Sequence, residues 1–311
     1  MKRILLAAAL VLLVHSTAYA TWSVIALNAR TGEVIIASAT CVREEGFPKR
    51  EANGQAMAAR DLMDIQAVVI PGVGVAACQA GVDNTRQNQM LVYNELRKGT
   101  PPADIIKLLQ KDPLIARRQF GILEMPNGTT ITSRNNSAGF NGADNSVASL
   151  YFGGQVGPDI YYQVQGNTLL GTDVVYKAAL AFTRAPGTMA DRVMAAMEAA
   201  DANGGDKRCN CGTNPLDFVP CDNMTAHVAY ILIAEKGDTL GHSFNDGQYY
   251  AYLSVTDDEN PKTGIRPGES ANPVKTLRMR YNAWVAAGSP RLAPPPPSLY
   301  QPKTSAGGGG R

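Results

Sequence analysis

Runs of β-branched and small apolar residues come in two pairs, within residues 22–40 and 67–79, and apolar residues at helical spacing follow them. Residues 22–28 (WSVIALN) and 34–40 (VIIASAT) are joined across Arg30-Thr31-Gly32, which carries turn chemistry, so they predict a hairpin. Residues 43–64 are charged and polar and predict a long loop or a short helix. Residues 67–70 and 73–79 form a second apolar pair around Pro71-Gly72. The spacing of Met90, Leu91, Tyr93, Asn94 and Leu96 predicts a helix that stops at Lys98-Gly99. A second helix opens at Thr100-Pro101-Pro102 and runs through Ile105, Ile106, Leu108 and Leu109.

Strands are expected again at 119–124 and 129–133, separated by the turn Met125-Pro126-Asn127-Gly128, and at 161–165. Two more helices are expected at 173–182 and 189–201. The latter has Thr188 and Asp191 as a capping box and Asn203-Gly204-Gly205 as its stop. Residues 227–235 and 249–255 read as late strands, and 275–287 as a last amphipathic helix. Hairpins, a helix pair, strands, a helix pair and strands do not make the alternation of a doubly wound parallel sheet. The order predicts an α+β fold: an αββα sandwich of two antiparallel sheets, each covered outside by helices. A plain α+β domain is the simpler alternative.

The ends differ in character. Lys2 and Arg3 precede an apolar run at residues 4–14 and the triplet Ala18-Tyr19-Ala20, the three parts of a secretory signal with an A-x-A cleavage site. The run is short of the ~20 residues of a spanning helix. The sequence therefore predicts a signal at 1–20, a domain at 21–290, a Pro- and Gly-rich tail at 291–311, and a secreted or periplasmic protein with no membrane span after cleavage. With 29 Lys and Arg against 27 Asp and Glu, the chain lacks the basic excess of a nucleic-acid binder.

Export changes how the 5 cysteines read. Cys209, Cys211 and Cys221 cluster in a polar segment, while Cys41 and Cys78 lie far away in sequence. A zinc site wants four ligands, and only His227 is near the cluster, so disulfides are the better reading. The odd count leaves at least one thiol unpaired, and spacing does not fix the connectivity.

The common catalytic signatures are missing: no G-x-S-x-G elbow, no phosphate loop, no H-E-x-x-H and no Rossmann glycine pattern. His227 and His242 lack companion ligands and read as structural or solvated. Cleavage after Ala20, however, makes Thr21 the amino terminus and sets a hydroxyl beside its own α-amine. An α-amine has a reference pKa of roughly 7.7–8.0, so part of it is a free base at neutral pH. Threonine with an N-terminal amine is a known activation scheme for attack on an amide carbonyl.

Thr21-Trp22-Ser23-Val24-Ile25-Ala26, Thr31-Gly32-Glu33, Gln79-Ala80, Gln165-Gly166-Asn167 and Gly204-Gly205-Asp206-Lys207-Arg208, in that order, resemble a bacterial family of unknown function (DUF1028) assigned to the N-terminal-nucleophile (Ntn) hydrolases. The resemblance implies the four-layer αββα fold and an amidohydrolase that needs neither metal nor cofactor. It implies Thr21 as nucleophile, Gln165 and Asn167 as amide donors to an oxyanion, and Asp206 as the acid of the G-G-D motif. Relatives tend to carry Ser-Lys where this chain has Thr40-Cys41, and Arg43 offers a cation two residues on. Asp83 stands where an Asn is usual.

The expected partner is a small amide- or peptide-like substrate. A homodimer is left open by the sequence. The alternative reading is a non-catalytic secreted binding or accessory protein on the same fold.

Overall fold

Each central strand buries both of its faces, which explains the nearly unbroken apolar runs. A computed structural model describes residues 21–52, 55–144, 148–209 and 224–293. The expected signal peptide, Cys211, Cys221 and the tail from residue 294 lie outside the described residues.

The first sheet contains β1 (Thr21–Asn28), β2 (Val34–Thr40), β9 (Leu150–Val156), β10 (Ile160–Asn167), β11 (Val228–Ala234) and β12 (Ala251–Thr256). Its order is β12-β11-β2-β1-β10-β9 and every pairing is antiparallel. The second sheet is also antiparallel and runs β5-β6-β7-β8, from β5 (Ala67–Ile70), β6 (Gly74–Ala80), β7 (Arg118–Glu124) and β8 (Ser137–Asn141). A short ribbon pairs β3 (Arg50–Ala52) with β4 (Gln55–Met57). Six helices accompany them among the described residues: α1 (Leu62–Gln66), α2 (Gln87–Lys98), α3 (Pro102–Leu109), α4 (Asp173–Arg184), α5 (Met189–Ala202) and α6 (Pro273–Ala286). The fold is α+β, as the sequence predicts.

The period of two sorts the side chains into separate cores. Trp22, Val24 and Ala37 point from β1 and β2 toward α4, α5 and α6, where they meet Val175, Phe182, Met197 and Leu277. Ile25, Leu27 and Ile36 point the other way and pack against Val75, Ala77 and Leu123 of the second sheet. Val68, Ala76, Phe120 and Ile122 then face Val92, Leu96, Ile105 and Leu109 of α2 and α3. Burying one such Leu or Ile is worth roughly 1.5–3 kcal/mol.

Local chemistry sets the element ends. Thr188 and Asp191 form the expected capping box on α5, with Asp191 Oδ2 accepting from Thr188 N at 2.8 Å. Gly99 closes α2 at φ +75°. The β1–β2 turn closes on Asn28, whose Oδ1 accepts from Arg30 N at 3.0 Å. It needs Gly32 at φ +79°, where a Cβ would come within 2.8 Å of Lys236 Cβ.

Two stretches differ from expectation. Residues 129–133 are not a strand, because Asn127 Oδ1 gathers the backbone N–H groups of Thr129, Thr130 and Ile131 at 2.8–3.1 Å and curls the segment into a side-chain-closed turn. The strands that continue the sheets are β8 and β9. Residues 43–64, expected as loop or short helix, also supply the β3–β4 ribbon besides α1. Residues 291–293 run along the body: Leu292 N donates to Tyr250 O at 3.0 Å and Arg291 Nη1 to Asp238 Oδ1 at 2.7 Å.

Candidate functional site

Antiparallel pairing brings the start of β1 beside the ends of both its neighbours. Thr21 is the register partner of Thr40 at the end of β2 and of Asn167 at the end of β10. On the face that looks toward the second sheet, the apolar positions of these strands give way to Thr21 and Ser23, Ser38 and Thr40, and Gln163, Gln165 and Asn167. Gln79 of β6 and Gln119 of β7 meet them from the opposite sheet. Thr21 is only 3% exposed and Asn167 is fully buried, so this is a polar strip inside a sandwich.

Buried polar groups must find partners, and here they bond across the sheets. Thr21 Oγ1 donates to Thr40 Oγ1 at 3.3 Å. Gln79 Nε2 donates to Thr21 O at 3.1 Å and to Gln119 Oε1 at 2.7 Å, while Gln79 Oε1 accepts from Ser23 Oγ at 2.7 Å. Asn167 Nδ2 donates to Gln119 Oε1 at 3.1 Å, and Gln119 Nε2 donates to Gly166 O at 2.7 Å. Gln165 Nε2 reaches Ala77 O at 3.0 Å. Gly121 makes room for it, since a Cβ there would lie 2.6 Å from Gln165 Oε1. Two acceptors, Asn167 Oδ1 and Gln165 Oε1, are buried without a protein partner among the described residues.

Asp206 reaches Thr21 through the chain. It is fully buried, and its Oδ2 accepts from Cys41 N at 2.9 Å and from Arg208 Nη2 at 2.7 Å. Its Oδ1 accepts from Arg208 N at 3.0 Å and Nε at 3.1 Å. The turn before it places Gly205 at φ +48° against the Trp22 ring, where a Cβ would approach to 2.8 Å. Asp206 therefore fixes the backbone of Cys41, the residue after Thr40. A disulfide between Cys41 and Cys209, Cα–Cα 5.7 Å, fastens the same two segments across 168 residues of sequence. Closing a loop of that length constrains the unfolded chain by roughly 5 kcal/mol.

Arg43 Nη2 donates to Asp257 Oδ2 at 3.2 Å, and the same oxygen meets His227 Nδ1 at 2.5 Å. Burial pushes the Asp257 carboxyl up, but these two partners outweigh it and hold it below the ordinary carboxylate range. Of the sequence-predicted residues, Thr21, Asn167 and Gln165 share one buried face, and Asp206 stands behind it at the end of β2.

Thr21, Thr40 and Gln79 also border a narrow recess whose other walls include Val42, Phe47 and Leu62. The polar strip thus opens onto a mostly apolar cleft. Motif reasoning missed Gln119, Ser38 and Gln66, which donates from Nε2 to Tyr230 Oη at 3.1 Å behind the cleft. The usable signal was amide and hydroxyl residues at every second position of strands otherwise buried and apolar.

Among curated proteins none matches the chain. The crystal structure of protein SPO2555 from Silicibacter pomeroyi, itself described as DUF1028, is similar over 86% of each chain at 18% identity and a TM-score of 0.54, a likeness of fold. The family of unknown function DUF1028 matches residues 21–214, starting at the threonine that opens the central strand. The chain belongs to the DUF1028 family.

Proposed function

We propose that this protein is an exported Ntn-type amidohydrolase whose nucleophile, Thr21, is freed by removal of residues 1–20. The observation that carries the reading is the placement of Thr21. It is the first residue of the central strand, buried, bonded through its hydroxyl to Thr40 and through its carbonyl to Gln79, and it borders the cleft. The family match beginning at that same residue supports the reading. So does the order of the cores: helices, sheet, sheet, helices, the layering an Ntn sandwich requires.

In this reading Thr21 Oγ1 attacks an amide carbonyl and its α-amine takes the hydroxyl proton. The C–N bond then breaks as the amine returns the proton to the leaving nitrogen, and water hydrolyses the acyl ester. Asn167, the register partner of Thr21, supplies an amide donor to the oxyanion, a contribution typically worth about 10²–10³ in rate. Gln165 and Asp206 position the strands that carry the reacting groups. Val42, Phe47 and Leu62 make the walls beside Thr21 apolar, which favours an uncharged acyl group there.

One observation favours the binding-protein alternative: Asn167 Nδ2 is already committed to Gln119 Oε1 at 3.1 Å. Intact-mass analysis of the exported protein, combined with a panel of acyl amides, separates the two. The enzyme reading expects a chain beginning at Thr21 that releases amine from at least one short-chain acyl amide. A mature chain beginning elsewhere contradicts it.

A further inference from the structure

We propose that Cys41, Cys209 and His227 form a second site, in which a thiophilic divalent cation such as Zn²⁺ replaces the disulfide when the two cysteines are reduced. Sequence spacing hides this group, because Cys41 comes from the end of β2, far from the Cys209 cluster. The fold joins them: both sulfurs and a ring nitrogen of His227 lie within 4.8 Å of one another.

Three properties fit a soft cation. A tetrahedral zinc with three protein ligands and a water as the fourth holds sulfur at about 2.3 Å and imidazole nitrogen at about 2.0 Å, so the ligand atoms sit roughly 3.5 Å apart, within reach of this cluster after the S–S bond opens. Cys41, Cys209 and His227 are 6%, 0% and 2% exposed. Two thiolates with Zn²⁺ make a neutral group, which a buried site tolerates far better than two free thiolates. Finally, Asp257 Oδ2 holds His227 Nδ1 at 2.5 Å. A carboxylate hydrogen-bonded to a histidine ring fixes its orientation and raises its basicity, the arrangement behind most zinc-bound histidines.

The two states are alternatives at one place. Two equivalents of a thiol, which leave joined as their own disulfide, or a phosphine with one water, which leaves as the phosphine oxide, supply two electrons and two protons to the disulfide, giving two thiols. Zn²⁺ then binds both sulfurs and releases those two protons. Either closure fastens the end of β2 to the turn after Asp206. In an oxidising compartment the covalent form holds the clamp, and under reducing conditions the cation does.

Cobalt titration of the full chain tests this, using a Cys211→Ser/Cys221→Ser background in which the one thiol besides the pair is Cys78, buried in the core against α2 and α3. After phosphine reduction we expect one Co²⁺ to bind, with thiolate-to-cobalt absorption in the near ultraviolet and intense tetrahedral bands in the visible, and Zn²⁺ to displace it. The oxidised chain should show neither band. His227→Gln should weaken binding at least tenfold and alter the visible bands, and Asp257→Asn should weaken it by roughly 10–100-fold. Circular dichroism follows folding in every sample. A reduced, folded chain that takes up no cobalt overturns the proposal. So does binding that His227→Gln leaves unchanged, or a reduced chain that stays unfolded when the cation is added.

Discussion

Gln79 Nε2 donates to the carbonyl oxygen of Thr21 at 3.1 Å, a hydrogen bond that crosses from the second sheet to the first. The same amide accepts from Ser23 Oγ at 2.7 Å and donates to Gln119 Oε1 at 2.7 Å. One side chain of β6 therefore ties the start of β1, at Thr21 and Ser23, to Gln119 of β7, and the position of the Thr21 hydroxyl depends on it.

Gln79→Leu keeps the volume and removes these bonds. The Thr21 carbonyl and Ser23 hydroxyl lose their partner in a buried place, so stability should fall by about 2–3 kcal/mol, read as a lower urea midpoint. Unchanged stability would mean that the cross-sheet amide is ornamental to the fold.

Asp206 and Arg208 form a buried ion pair, 0% and 8% exposed, with the carboxylate also holding Cys41 N. Asp206→Asn removes the carboxylate charge that faces the Arg208 guanidinium and Cys41 N, and should cost roughly 3–5 kcal/mol. Arg208→Met added to it should cost less than the sum of the two single changes, because both break the same interaction. Additive losses in urea would contradict this assignment.

Glu124 is 3% exposed and its Oε2 has no partner among the described residues. Burial raises its carboxyl to about 7 from the ordinary 4.5. Between those two values the folded chain binds the proton that the unfolded chain releases, so this group's contribution falls as pH rises from 4.5 to 7. Glu124→Gln should match the parent near pH 4.5 and exceed it at pH 8 by about 1–3 kcal/mol. A stability difference between the two that is flat over that range, measured by denaturant titration, would contradict the assignment.

Much of the fold was legible because strongly buried segments carry strong patterns. The Pro71-Gly72 hairpin, the Thr188–Asp191 capping box and the apolar runs of β1, β2 and β11 needed only local chemistry. The misses lie at the sheet edges. β8 (Ser137–Asn141) and β9 (Leu150–Val156) are half-exposed strands of Ser, Gly and Asn or of Tyr, Phe and Gly, with no apolar alternation to give them away. At 129–133 β-branched residues suggested a strand, but three N–H groups captured by Asn127 outweighed that propensity.

Of the candidate site, Thr21 and the residues carried by the resemblance were legible in the sequence. Gln119 was not, because a lone glutamine opening a strand looks like a solvent-facing residue until the opposing sheet is in place. The link from Asp206 to Thr40 was hidden for the same reason: it runs through Cys41 N, a backbone contact between segments 165 residues apart. His227 read as structural or solvated in the sequence, and its Asp257 and Cys41 neighbours come together only in three dimensions.

The central claim is that Thr21, once it is the amino terminus, is a reactive nucleophile. Its most direct test is to treat the exported chain with a β-lactone and locate the adduct by peptide mass spectrometry. The account predicts one acyl adduct on the N-terminal peptide at Thr21, retained by Thr21→Ser and lost in Thr21→Ala. A folded chain with Thr21 at its amino terminus that forms no adduct there would contradict it.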